Sequence, residues 1–557
     1  MSQIEEIRRQ VMWNRLISVV EEQALTLIRT AFSTSVREAG DLSAGVFDPE
    51  GRMIAQAVTG TPGHVNTMEA AVRNFLDVFP EEERLEGDDW ITNDPWLGTG
   101  HLHDITMVSP SFYKGRLVGY FACTAHVVDV GGRGFGADGK SVYEEGIQIP
   151  IMKFADAGVV NRELLRLLEV NLREPGQVIG DCYSLAACNQ VGHRRLVDML
   201  DESGMDDLSG LAEFIFARSE AATMERINAL PAGRYENAMR VDGYDEPLDL
   251  KVALTIGNEG VHADYEGTSG ESRWGINVPL IYAKAYTAYG LKCAIAPDIP
   301  NNTASLAPFT VSAPPGSIVN AQRPAPVALR HVVGQMLPDV VFGALEQALP
   351  GHVPAEGASS LWNVHFSLRP AGGGQGRRAE VLMFNSGGTG ARPELDGLNA
   401  TAFPSGVMTM PIEATEHTGP IVFWRKELRP GSGGAGRSRG GLGQVLEIEA
   451  APGYEFDFSA MFDRCRHPAR GRAGGGEGGN GVVRLDDGTE LKPKGWQHVP
   501  AGRKLILEAA GGAGYGPAAE RPAEKIRADL EGGYVTEDEV RAKYGRDPAE
   551  LQEASED

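Results

Sequence analysis

Apolar positions recur at helical spacing over residues 4–31, where Ile4, Ile7, Val11, Leu16, Val20 and Leu27 are separated by polar and charged residues. That spacing predicts an amphipathic helix. The period then changes to two: Val46-Phe47 and Met53-Ile54 flank Asp48-Pro49-Glu50-Gly51, which predicts a β-hairpin. A helix is expected over about 65–78, and a helical stretch over 160–200 that must break at Arg173-Glu174-Pro175-Gly176. Residues 231–267 alternate as antiparallel strands do, and two further helices are expected near 278–295 and 325–348. From about 357 to 515 the chain is strand-like and laden with glycine, and its last forty residues read as a polar helical arm. The pattern is that of an α+β protein with mixed, largely antiparallel sheets and flanking helices. Expected units are 1–230 (α+β), 231–356 (sheet and helix), 357–520 (glycine-rich β) and 521–557 (helical arm).

Composition narrows the function classes. The 557 residues are long enough for more than one core, and 42% hydrophobic with 23% charged is an ordinary globular balance. A net charge of −24 argues against a nucleic-acid partner, because a polyanion is repelled. No apolar run approaches the roughly 20 residues of a membrane helix, and the opening MSQIEEIRRQ is not a secretory signal. Five cysteines without a CxxC fit a reduced cytoplasm better than a disulfide scaffold. Glycine is the outlier at 70 residues, which predicts hairpin loops and bulges with positive φ. The runs GSGGAGRSRGG, GRAGGGEGG and GGAGYG contain no Lys followed by Ser or Thr, so none is a phosphate loop. The chain is not expected to bind ATP itself.

The densest chemistry lies in WITNDPWLGTGHLHDITMVSPSFYKGRLVGYFACTAHVVDVGG, which starts at Trp90. Lys114-Gly115 is the expected turn of a hairpin whose paired residues sum to about 229, placing Asp104 opposite residue 125 or 126. Opposite Cβ atoms are about 5 Å apart, so Asp104 and His126 reach one point, and a preceding loop folds His101 over the same face. His103, Cys123 and Asp129 should point elsewhere if the alternation holds. His101, Asp104 and His126 form a ligand set with open positions, as in catalytic zinc or facial-triad iron sites. A hydrogen-bonded polar cluster is the competing reading. A serine triad fits poorly, since Asp41-Leu42-Ser43-Ala44-Gly45 lacks the first glycine of a nucleophile elbow.

Six blocks, REAGDLSAGVFDPEGRMIAQ, WITNDPWLGTGHLHDIT, AHVVDVGG, YEEGIQIP, FNSGGTGARPELDG and the terminal GGAGYGPAAERPAEKIRADLEGGYVTEDEVRAKYG, span nearly the whole chain. In them the sequence resembles the hydantoinase B family, the B-type subunits of ATP-dependent hydantoinases and oxoprolinases. It also resembles the α subunits of acetone carboxylase and a component of acetophenone carboxylase. The resemblance implies one divalent ion, zinc or manganese foremost, held by Asp41, His101, Asp104 and His126. It implies catalytic or substrate-orienting roles for His64, His103, Glu145 and Arg173, with Arg392 a further candidate. The family often has proline where His103 stands.

The resemblance further implies a hetero-oligomer with an ATP-binding A-type subunit, ATP and Mg being used on that partner. The partner phosphorylates a small cyclic amide such as a hydantoin, 5-oxoproline or lactam, and this chain completes its hydrolysis with water activated by the ion. No room is expected for a fused A-type half. A ketone carboxylase subunit and a non-catalytic structural subunit are the alternatives.

Overall fold

The hairpin carrying Asp104 and His126 lies at the centre of a seven-stranded antiparallel sheet. The computed structural model describes residues 3–58 and 60–553. Its first sheet is built from β1 (Leu42–Phe47), β2 (Met53–Gln56), β3 (Asp89–Thr92), β4 (Asp104–Tyr113), β5 (Arg116–His126), β6 (Met152–Asp156) and β7 (Val159–Val160). The strand order is β2-β1-β5-β4-β3-β6-β7, and every neighbouring pair is antiparallel. Asp104 pairs with His126, a sum of 230. Near the turn the sum is 229, and a bulge between Ser111 and Phe112 adds the extra residue.

Alternation along β5 sorts side chains to two apolar layers. Phe121, Cys123 and Ala125 join the core against helices Gln3–Thr30 and Pro175–Ser203. Tyr120 and Ala122 face the helix Pro62–Val78, with Val65, Met68, Val72 and Phe75. His126 follows the second set in parity, as Asp104 follows Val108. The polar row therefore ends a face that is otherwise apolar. Proline starts both Pro62–Val78 and Pro175–Ser203, where its missing N–H costs nothing.

The expected helices form, Leu280–Ile295 with a small boundary shift. The helix expected near 325–348 starts only at Leu337: Pro324 and Pro326 leave 323–330 irregular, and a single turn, His331–Gly334, comes between. The helix Ser209–Asn228 was not anticipated from the pattern, because its apolar positions are spread around its circumference. A four-stranded sheet follows, in which only Phe309–Ser312 and Gly260–Asp264 pair in parallel. Two more four-stranded sheets face each other across a core of Phe366, Phe456, Phe458, Leu446, Ile448 and Leu507.

The glycine runs have a different role from the one expected. Of the glycines in 431–443, 471–481 and 511–516, only Gly431, Gly474 and Gly516 have positive φ. The other glycines let bare backbones stack outside any sheet. Gly441 N–H donates to Thr389 O at 2.9 Å, Gly512 N–H to Gly441 O at 2.9 Å, and Gly434 N–H to Gly512 O at 2.9 Å. A Cβ on Gly512 would lie 1.9 Å from Thr389 O, and one on Gly388 1.8 Å from Gly441 O. The C-terminal helical segment rests on this stack: Ala435 packs with Ile526, Val535, Val540 and Tyr544, and Arg521 pairs with Asp396 and Asp529.

Candidate metal centre

Asp41, His126 and Asp104 form one row across the ends of β1, β5 and β4. Leu42 pairs with Ala125, and the ladder runs one step further as His126 N–H donates to the Asp41 carbonyl at 3.1 Å. His101 comes from the turn before β4, and His64 from the first turn of Pro62–Val78. His64, His101, His103, Asp104 and His126 are all at most 3% exposed. Asp41 is the most open of the group, at 8%.

Asp104 is the hub. His101 Nε2 lies 2.8 Å from its Oδ1, and His126 Nδ1 lies 3.0 Å from the same oxygen. Its Oδ2 accepts from Thr99 Oγ1 at 2.7 Å, meets His64 Nε2 at 2.9 Å, and pairs with the Arg330 guanidinium. Burial opposes its ionisation, but neighbouring positive charge, the Arg330 guanidinium and protonated His64 included, outweighs burial and holds the carboxyl well below its usual range. Arg330 is itself fixed by donation from Nε to Thr99 O at 2.7 Å and by the Tyr282 ring 4.0 Å below it.

Burial disfavours the charged form of His101, His103 and His331. Burial, assisted by Arg330, pushes His101 down to about 3. His103 and His331 are driven well below their usual value, by burial first and neighbouring cationic charge second. His64 is the exception. Burial disfavours its proton, but Asp104 and Asp41 outweigh burial and raise it.

These atoms fit a divalent cation. His101 Nδ1 lies 2.8 Å from the Ala328 carbonyl, which only accepts, so Nδ1 carries the hydrogen. In the neutral ring Nε2 is then a lone pair, and it faces a carboxylate oxygen at 2.8 Å. Two electron-rich atoms at that distance repel unless a cation lies between them. His126 Nε2 is buried without a partner as well. One ligand atom from each of His101, Asp104 and His126 lies within 4.8 Å of the others, and among the described residues no other His, Cys, Asp or Glu group meets that condition.

The sequence candidates are distributed unevenly around this centre. Asp41 stands behind His64: its Oδ1 accepts from Thr61 Oγ1 at 2.7 Å and lies 3.7 Å from His64 Nδ1. His103 does not diverge as alternation predicted. Its ring centroid is 5.6 Å from that of His101 and 5.8 Å from that of His126, because residues 101–103 form a turn to which period two does not apply. Both of its ring nitrogens are buried without partners. Phe135 closes the group, 4.7 Å from His103 and 5.0 Å from His126.

Glu145 and Arg173 lie outside the ligand group. Glu145 is buried; Oε1 accepts from Val327 N at 2.7 Å and Ala328 N at 2.9 Å, and burial pushes the carboxyl up to about 8. Arg173 clamps the following loop, with Nη1 2.7 Å from Asp129 Oδ1 and further donation to the carbonyls of Gly131 and Gly132. Asp129 is thereby engaged away from the histidines. Arg392 lines a separate cavity of about 380 Å³ with Asp339, Phe342 and Phe403. Sequence reasoning missed Thr99, Phe135, Ala328, Arg330 and His331. The one available signal was Arg330-His331 embedded in the apolar run PVALRHVVG.

The hydantoinase B/oxoprolinase sequence pattern matches residues 5–518. The chain belongs to the hydantoinase B/oxoprolinase family. Within this family it is 28% identical over 579 residues to the caprolactamase subunit beta of Pseudomonas jessenii, covering 98% of this chain and 96% of that one. The crystal structure of the ATP-dependent caprolactamase from Pseudomonas jessenii superposes with a TM-score of 0.88 at 27% identity, over 98% and 96% of the two chains. The nucleotide-free structure of acetone carboxylase superposes with a TM-score of 0.85 at 19% identity, over 97% and 79%, a likeness of fold. Among the described residues, no helix is long and apolar enough to cross a membrane.

Proposed function

We propose that this hydantoinase B family chain is the metal-dependent B-type subunit of an ATP-dependent complex that hydrolyses a small cyclic amide. The observation that carries the reading is the buried meeting of His101 Nε2, Asp104 Oδ1 and His126 with no proton available between the first two. A divalent ion held there, zinc or manganese, would polarise a carbonyl and lower the pKa of water. The chain's own residues do the rest. Ala328 and Asp104 fix the imidazoles, Arg330 and Thr99 hold Asp104 ionised, and Phe135 keeps bulk water off the group. His64 holds a proton between Asp41 and Asp104, next to the more open Asp41 side. Asp41 either completes the ligand set or acts through His64.

Ring opening of an amide needs an activated carbonyl, and this chain's glycine runs are a structural stack with no phosphate loop. Activation therefore falls to an A-type partner that binds ATP and phosphorylates the substrate; one relative is itself named as a subunit, caprolactamase subunit beta, and the caprolactamase of that organism is described as ATP-dependent. Coexpression with that partner tests the reading: turnover should need ATP, and labelled oxygen from solvent water should enter the product carboxylate. Turnover by this chain alone without ATP would defeat it. His103 favours a second reading, a ketone carboxylase subunit, since a neutral, unpartnered imidazole beside the ligand group suits removal of a proton α to a carbonyl. Bicarbonate-dependent turnover that fixes its carbon would select that reading.

A further inference from the structure

His101 owes its tautomer to a backbone carbonyl 227 residues away in sequence. That carbonyl belongs to an irregular strap, residues 323–330, most of whose backbone groups are taken up by specific partners. Asn277 Nδ2 donates to Pro326 O at 2.9 Å, Leu329 N–H to Gly275 O at 2.7 Å, and Val142 N–H to Pro324 O at 3.0 Å. The two N–H groups between those contacts, Val327 and Ala328, both end on one oxygen, Glu145 Oε1. Glu145 closes a one-turn helix, Val142–Glu145, that lies against the strap.

We propose that Glu145 is a positioning residue for metal binding: it fixes the two successive peptides that lead into Ala328, and so sets where the Ala328 carbonyl meets His101 and fixes the tautomer and direction of that ring. The inference rests on His101 being a ligand. Ala328 is hydrogen-bonded through both of its backbone groups, which lie in successive peptides: its N–H to Glu145 and its C=O to His101. The carbonyl's own peptide partner, Leu329 N–H, is taken by Gly275 O at 2.7 Å, so Glu145 and Gly275 hold the backbone on the two sides of the Ala328 Cα. Without Glu145 both strap N–H groups would be buried and unpaired, and the backbone entering Ala328 could shift to satisfy them, moving the carbonyl relative to His101. A direct role on substrate has no support in its contacts, since both strap bonds use Oε1 and Oε2 is buried with no partner. The same strap delivers Arg330 to Asp104 two residues later, so Glu145 bears on both members of the closest ligand pair.

The test is metal affinity of the full-length chain, read by chelator competition with Co²⁺ and by the Co²⁺ absorption band, which reports coordination geometry. Glu145→Gln keeps an acceptor in place and should bind within about threefold of wild type. Glu145→Asp, which retracts the oxygen, and Glu145→Met, which removes it, should bind about tenfold to a hundredfold more weakly, the range seen for outer-shell partners, with a shifted band. Arg133→Ala breaks the neighbouring surface pair with Glu144 and should leave affinity unchanged, which separates positioning from general loosening. If Glu145→Met does not fold, the Asp and Gln variants carry the comparison. Wild-type affinity and spectrum in Glu145→Asp and in any folded Glu145→Met would overturn the proposal alone. A wild type that binds no divalent ion would overturn the metal reading and the proposal together.

Discussion

The ends of β1, β4 and β5 and the glycine stack are both densely hydrogen-bonded interiors, yet they are built on opposite terms. At the strand ends the backbone is ordinary and the side chains are everything. Asp104 alone engages five side chains: His64, Thr99, His101, His126 and Arg330. In the stack the side chains are missing and the backbone is everything, with carbonyl oxygens where a Cβ would stand. The first region should lose chemistry before structure, and the second structure before chemistry.

The largest effect expected is on the first. His101→Ala or His126→Ala removes one of the three donors whose ligand atoms converge, a group that does not include His103, and Cys123 packs into the opposite core. Metal content should fall to background and activity of the complex by about a thousandfold or more, roughly 4 kcal/mol, with the melting transition largely kept. Elemental analysis beside calorimetry checks both halves, and undiminished metal in both variants would refute the assignment. In the stack, Gly512→Ala should do the reverse. Its Cβ meets backbone that cannot swing aside, so the chain should lose about 3 kcal/mol or more while any folded fraction keeps its metal. Denaturant melts and metal content per folded protein decide it.

How legible each region was follows from the same contrast. The pair Asp104–His126 could be read from the sequence because a hairpin relates its positions locally, and a bulge changed the sum by only one. His103 was misread because alternation was extended back into a turn. Ala328, Arg330 and His331 reach the centre across more than 200 residues, which no local pattern encodes. The glycine runs were visible but their reason was not: composition cannot distinguish a glycine needed for positive φ from one needed for close approach. The order of helices and antiparallel strands was largely legible, because burial on one face leaves a period.

Two smaller effects sharpen the contrast between groups that serve the centre and groups that only flank it. The Glu145 carboxyl is pushed up to about 8, above its unfolded value of 4.5. Between those values the folded chain binds more protons than the unfolded one, so raising pH costs stability there. Glu145→Gln has no such proton, and its stability relative to wild type should rise from pH 5 to 8, by at most about 1.4 kcal/mol per pH unit. Melts across that range check the sign; a difference constant with pH would contradict it. Asp129→Asn disturbs a buried carboxylate that accepts from Arg173 and from the N–H groups of Gly131, Arg173 and Glu174, so the cost should be about 2 kcal/mol, with the ion retained. Loss of metal from that variant would bring Asp129 into the ligand group.

The stack also bears on how tolerance to mutation should be interpreted in this chain. A saturation screen scored by activity would mark Gly388, Gly440, Gly441, Gly511 and Gly512 as intolerant as His101, because their Cβ atoms would fall within about 2 Å of backbone oxygens or carbons. Judged by that score alone, the glycines would look like a second active centre. Scored instead by abundance of folded protein, the two groups should separate cleanly, the histidines abundant and inert, the glycines scarce. Positions that carry no functional group at all would then account for much of the apparent functional constraint in the C-terminal half.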